Sequence, residues 1–205
     1  MTVRPRLGIC VSGRGSNMQA LLRAAQRGEL LADPVVVFSN HLDAPALERA
    51  RAAGVAVEAL ESRGYASRAD YDAAVVQCLQ PYDCDIIALA GYMRIVTPTF
   101  LNAWPGRVLN IHPSLLPAFP GLHAVEQAWS YGVRVSGCTV HFVDAEVDHG
   151  PIIVQRAVSV LPDDTVDRLA ARILEQEHDA FVEAVNLVAA GRVRLEGRRV
   201  LIEPE

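Results

Sequence analysis

Short, continuous apolar runs separated by stretches of helical period constrain this chain more than any other feature of it. The runs at residues 7–12, 35–39, 55–60, 86–90 and 108–111 are rich in Val and Ile and do not alternate with polar residues, the pattern of strands buried on both faces. Between them lie MQALLRAAQRG (18–28), APALERARAAG (44–54) and SRADYDAAVVQCLQ (67–80), each helical in its apolar spacing. Gly28 and Gly54 stand where helices stop, and Asp43 is placed to cap the second helix. The order β-α-β-α-β-α-β demands right-handed crossovers. It predicts an α/β fold, a single Rossmann-like domain over 1–205 whose mostly parallel central sheet is flanked by helices, with a ligand crevice at the strands' carboxyl ends. At 51% hydrophobic residues the chain can cover both faces of that sheet.

The second half breaks the alternation. A Pro-rich segment, HPSLLPAFPG (112–121), precedes a short helix near 124–131 and two extended runs, VSGCTVHFV (135–143) and PIIVQRAVSV (151–160). Helical period returns between 164 and 190, and RLEGRRVLI (194–202) reads as a small hairpin, so the C-terminal half is expected to be mixed. A net charge of −5 argues against bulk electrostatic binding to nucleic acid or an anionic membrane. No apolar run approaches the ~18 residues of a membrane span, and the N-terminus lacks a secretory pattern, so a cytoplasmic protein is expected. Cys10, Cys78, Cys84 and Cys138 show no CxxC spacing and read as reduced residues inside strands or a helix.

GRGSN (13–17) joins the first apolar run to the first helix. Gly13 and Gly15 permit positive φ and leave no Cβ in the way of an incoming group, while Ser16 or Asn17 is placed to cap a helix starting near Met18. Backbone N–H groups at such a turn favour an anion, phosphate being the natural one. The third glycine of a dinucleotide fingerprint would fall at Met18, and no Gly-Lys-Ser/Thr ending is present, so neither of those motifs applies. Alone, the loop is equally a capped βα turn.

Asn110 and His112 are two apart at the end of the fifth run, which puts them on one side of a strand. An amide that can hold a developing oxyanion and an imidazole that moves protons near neutral pH suit acyl chemistry. Farther along, HFVDAEVDHGPII carries Asp144, Glu146 and Asp148 in a loop, and a carboxylate beside His112 would stabilise an imidazolium. His112, His123, His141 and His149 also raise the question of a metal, but no pair has HxxxH or HxH spacing and no cysteine joins them, so none is expected.

GRGSN, FSN, LAGYMRIV, LNIHPSLLPAFPGLHA, GCTVHFV, VDHGPI and QEH, in that order, resemble the phosphoribosylglycinamide formyltransferases of de novo purine synthesis, from about residue 7 to residue 191. The resemblance implies formyl transfer from 10-formyltetrahydrofolate to the amine of glycinamide ribonucleotide, with Asn110, His112 and Asp148 catalytic and no metal. It further implies that Gly15, Ser16 and Asn17 bind the substrate phosphate and Glu177 its ribose. Arg68, Met93, Arg94, Ile95 and Val96, with Asn110 and the loop Asp144, Ala145, Glu146, Val147 and Asp148, would bind the folate. By the same resemblance residues from about 6 to 112 form a nucleotide-binding half and those from about 113 to 205 a folate and catalytic-loop half, with room for a homodimer. Without it, Arg68 reads as a surface residue, Met93–Val96 as core and Glu177 as an exposed helix carboxylate. Ala118, often basic in relatives, and Leu174, often polar, depart from the pattern. A formyltetrahydrofolate hydrolase and a non-catalytic nucleotide- or folate-binding module are the alternatives; the first typically carries an N-terminal regulatory domain, the second would lose the catalytic group.

Overall fold

The computed structural model describes residues 3–204; Met1, Thr2 and Glu205, at the ends of the expected domain, lie outside the described residues. Its elements run β1 (Arg6–Val11), α1 (Ser16–Gln26), β2 (Asp33–Ser39), α2 (Pro45–Ala52), β3 (Ala56–Ala59), α3 (Arg68–Leu79), β4 (Ile86–Leu89), α4 (Pro98–Leu101), β5 (Val108–His112), α5 (Ala124–Tyr131), β6 (Val135–Phe142), β7 (Ile152–Ser159), α6 (Val166–Ala189), β8 (Val193–Glu196) and β9 (Arg199–Ile202). Seven strands form one sheet in the order β3-β2-β1-β4-β5-β6-β7. The first five pair in parallel, and β6 and β7 join antiparallel. The α/β fold read from the sequence is the one observed, with β8 and β9 as the small separate hairpin.

Period-two alternation sends the strand residues into two cores. Leu7, Ile9, Val11, Val37, Ile86, Ala88, Leu109 and Ile111 pack on one face with α1, α2 and α6. Cys10, Val36, Phe38, Ile87, Leu89 and Val108 pack on the other with α3 and α4 residues such as Tyr71, Val75 and Phe100. Asn110 and His112 follow Val108 at intervals of two and therefore belong to this second face. Since α3 and α4 cover only its earlier part, the polar pair lies at the sheet's open carboxyl edge.

Helix ends were only partly legible. Gly28 and Gly54 take positive φ just beyond α1 and α2, as expected of helix stops. Asp43 does not cap α2: Ala44 holds the N-cap position without a side-chain bond, and Pro45, whose missing N–H needs no partner there, starts the helix. Nor does Ser16 or Asn17 cap α1. The helix begins at Ser16 itself, its N-cap is Gly15 at φ 72°, and no side chain bonds its first turn. Cys84 lies in the loop before β4 rather than inside an element, and all four cysteines are free thiols.

Candidate active site

The strand order reverses direction between β1 and β4, where a doubly wound sheet opens a crevice. GRGSN leaves β1 on one side of it and the segment 90–97 leaves β4 on the other. They are tied together: Ser12 N–H donates to Gly91 O at 3.1 Å, and Met93 N–H donates to Ser12 Oγ at 2.7 Å, whose own proton goes to Asn40 Oδ1 at 2.6 Å. Ser39 and Asn40, the FSN residues ending β2, are buried beside this junction.

The antiparallel register of β6 on β5 sets Asn110 opposite His141 and His112 opposite Thr139. Paired residues share a sheet face, so two imidazoles and an amide meet there. His141 Nδ1–H donates to Phe142 O at 2.7 Å, and burial holds its pKa below the ordinary histidine value, which leaves the neutral Nε2 as an acceptor. That nitrogen lies 3.2 Å from Asn110 Nδ2. The second amide hydrogen points to Asp148 Oδ1 at 3.4 Å. Both Asn110 donors therefore have protein acceptors here, a detail the expectation of an oxyanion-binding amide did not contain.

Asp148 reaches this group from the loop after β6. Its Oδ2 accepts Gly121 N–H at 2.7 Å and lies 3.3 Å from His112 Nδ1. The other His112 nitrogen, Nε2, is 2.9 Å from Phe119 O and donates to it. Nδ1 is thus the working edge of the imidazole. Asp148 itself sits at φ 51°, in the left-handed region that Asp tolerates better than most residues.

These groups open into a cleft of about 630 Å3, a volume suited to a small organic ligand. Met93, Arg94, Ile95, Val96, Asn110, His112 and all of Asp144–Asp148 line it, joined by Leu122, Val125 and His141. Met93 and Ile95 are 67% and 52% exposed rather than core. Beneath them the Arg94 guanidinium stacks 4.4 Å over the Tyr71 ring. Arg68, exposed at the start of α3, is not among the cleft-lining residues. The sequence presents His141 only as a metal candidate; the period-two spacing of Thr139 and His141 hints at a shared face, but only the register identifies its partner. Among the described residues no group of three or more His, Cys, Asp or Glu side chains is placed to hold a metal ion.

A second polar cluster adjoins the GRGSN turn. Glu177 on α6 is only 7% exposed, not a solvated helix carboxylate, and accepts from Asn17 Nδ2 at 2.7 Å. Asn17 Oδ1 is buried without a hydrogen-bond partner. Burial raises the Glu177 pKa against the lowering effect of Asn17. Between the ordinary glutamate value and this raised one the folded state binds the extra proton, so stability falls as pH rises through that window and stays reduced above it. Glu177→Gln, which keeps an acceptor for Asn17, should therefore raise the melting temperature near neutral pH and leave it unchanged in acid below the ordinary glutamate value. Thermal unfolding at the two pH values tests this; equal shifts at both would remove the carboxylate's charge as the cause.

A family model described as formyl transferase matches residues 6–185. The chain belongs to the formyl transferase family. It is 42% identical to the phosphoribosylglycinamide formyltransferase of Escherichia coli strain K12, over 91% of this chain and 88% of that protein. The glycinamide ribonucleotide transformylase 1 structure of Symbiobacterium toebii is similar at a TM-score of 0.96 and 52% identity, covering 98% of this chain and 95% of that one. The trifunctional purine biosynthetic protein adenosine-3 of Bos taurus is 44% identical over 94% of this chain, which spans 19% of that protein's length. The formyl transferase match includes β1 through most of α6 and so contains both polar clusters.

Proposed function

We propose that this formyl transferase moves the formyl group of 10-formyltetrahydrofolate to the amine of N1-(5-phospho-D-ribosyl)glycinamide, a step of purine (IMP) biosynthesis. The observation that carries the reading is the meeting of Asn110, His112 and Asp148 in the lining of the cleft, in a chain whose GRGSN turn leaves the first helical N–H groups without a side-chain cap. Gly15, Ser16 and Asn17 would present those N–H groups to the 5′-phosphate, where the helix dipole favours an anion. Glu177 would accept from the ribose hydroxyls. The exposed apolar side chains Met93 and Ile95, with Val96 and the 144–148 backbone, would sandwich and hydrogen-bond the pterin, and Arg94 and Arg68 would meet the anionic end of the folate.

In this reading the neutral amine attacks the formyl carbon and the carbonyl electrons move onto oxygen. The Asn110 N–H now spent on the long 3.4 Å contact to Asp148 is the one that would serve the oxyanion, which can replace Asp148 as its acceptor while the 3.2 Å contact of the same amide to His141 stays in place. His112 Nδ1, its ring fixed through the Phe119 carbonyl, carries the proton from the attacking nitrogen to the departing N10 directly or through a water, with Asp148 paired to the imidazolium in between. Collapse expels tetrahydrofolate and leaves the formylated glycinamide. Each site draws on both sequence halves: Met93–Val96 with Asp144–Asp148 at the cleft, and Asn17 with Glu177 at the turn. We propose a division of labour by strand end rather than by the boundary at 112.

A cytoplasmic setting belongs to the same proposal. Burial pushes the Cys78 and Cys84 thiols up to about 11 and the Cys138 thiol up to about 12, as befits unreactive reduced cysteines, and no helix among the described residues is long and apolar enough to cross a membrane. Dimerisation is proposed from the resemblance alone.

The deciding assay follows tetrahydrofolate formation from 10-formyltetrahydrofolate with and without glycinamide ribonucleotide. Product should require the ribonucleotide and match formylated ribonucleotide one for one. Equal turnover with water alone would make the chain a hydrolase.

A further inference from the structure

The loop bearing Asp148 needs an external restraint, and the C-terminal hairpin supplies one. Residues 145–147 are exposed, Asp148 occupies φ 51°, and a non-glycine residue held there persists only where its surroundings over-determine it. Inside the loop, Asp144 Oδ1 accepts Glu146 N–H at 3.0 Å and Asp144 Oδ2 accepts His149 Nδ1–H at 2.8 Å. At its far end Gly150 presses on Phe142 O so closely that an added Cβ would lie 1.8 Å from it. From outside comes Arg198, at the Gly197–Arg198 turn between β8 and β9. Its Nη2 donates to His149 O at 2.6 Å, and its Nη1 lies 2.8 Å from His149 Nε2 and 3.1 Å from Nδ1.

These contacts form one connected cluster. The Arg198 guanidinium thus lies against both nitrogens of the His149 ring, and the Asp144 carboxylate accepts from that ring on one oxygen and from Glu146 N–H on the other. One cation thus grips the backbone carbonyl next to Asp148 and, through the ring, the residue that opens the loop. The hairpin can bear this load. β8 and β9 pair over four residues each, Val193 and Val200 pack against the main core, and Arg192 N–H donates to Leu187 O at the end of α6 at 3.0 Å. An isolated ion pair at the surface contributes little, but a charge-assisted bond to a backbone carbonyl on a packed strut restricts where that backbone can go.

We propose that Arg198 is a positioning residue: it holds the 144–149 loop so that the Asp148 carboxylate stays on His112 and Gly121. The role lies beyond residues 6–185, the segment matched to the family. It rests on the formyl-transfer reading only for its kinetic consequence.

The test compares Arg198→Ala and Arg198→Lys in the full chain. Hydrogen exchange of the Gly121 amide, whose proton is bonded to Asp148, and of the Glu146 amide reports the loop without any substrate. Arg198→Ala should speed both exchanges while those of β5 and β6 stay unchanged, lower kcat roughly tenfold and raise the folate KM, with the ribonucleotide KM kept within about twofold. Arg198→Lys keeps one donor for the carbonyl and should recover part of the rate. If Arg198→Ala frees the whole hairpin, exchange will rise throughout 193–202, and Arg198→Lys alone then decides: Gly121 exchange and kcat that both fall between the parent and Arg198→Ala support the strut, and a kcat loss with parental Gly121 exchange overturns it. Parental exchange at Gly121 and parental kinetics in both variants would overturn the proposal. Absence of ribonucleotide-dependent turnover in the parent would instead defeat the functional reading and leave the exchange result to judge Arg198.

Discussion

Asp148→Asn should lower kcat by roughly 10²–10⁴-fold, the range of general acid–base assistance, while ribonucleotide affinity stays near that of the parent. The carboxylate uses both oxygens: Oδ2 accepts Gly121 N–H and faces His112 Nδ1, and Oδ1 faces Asn110 Nδ2. An amide can replace only one of these as an acceptor. If its oxygen stays on Gly121, its NH2 confronts the NH2 of Asn110, and the charge that pairs with the imidazolium is gone in either orientation. Backbone strain is not the cause of the loss, because Asn adopts the left-handed region at least as readily as Asp and Asp148 sits at φ 51°. His112→Asn, which removes the ring that moves the proton, should fall in the same range, and the double variant should lose little more than either single one, because groups acting as a unit are not additive. Single-turnover rates at saturating substrates, with ribonucleotide binding by calorimetry, check the set. A kcat for Asp148→Asn within about threefold of the parent would return Asp148 to the role of a loop-tethering carboxylate.

Gly15→Val should raise the ribonucleotide dissociation constant roughly 10- to 100-fold, the value of one charge-assisted hydrogen bond lost, and cost about 1–3 kcal/mol of stability from a β-branched residue in the left-handed region. Two facts drive the expectation. Gly15 is at φ 72°, and a Cβ there would lie 2.7 Å from Ala46 Cβ and 3.2 Å from Met18 Cε. Ala46 belongs to α2 and its N–H donates to Gly13 O at 3.2 Å, so the helix cannot retreat without dragging the turn. Whichever side yields, the Ser16 and Asn17 N–H groups move off the anion. Folate binding, on the far side of the crevice, should change little; intrinsic fluorescence quenching by a folate analogue measures it. Ribonucleotide affinity unchanged by the substitution would take the phosphate away from this loop.

The sheet, its parallel half, the positions of five of the six helices in outline and the pairing of Asn110 with His112 on one strand face were legible from residue order, while the four-residue α4 was not. Burial repeats every two residues in a strand and every three to four in a helix, and each pattern is written locally in the chain. Cap chemistry was less so. Gly15 and Ala44 took N-cap positions that Ser16, Asn17 and Asp43 had promised, because the turns are set by the packing of α1 against α2 rather than by the strongest capping side chain nearby. What only the tertiary structure decided is which distant groups meet. His141 faces Asn110 because β6 enters the sheet antiparallel in one register, and a slip of one residue would have sent that ring into the opposite core. Glu177 lost the solvent expected of a helix carboxylate when α6 packed on α1 and brought it to Asn17, 160 residues away. Arg198 found His149 across 49 residues, through a hairpin docked on the core. Each of these contacts follows from the relative placement of whole elements, a sum over many apolar contacts that no local spacing records.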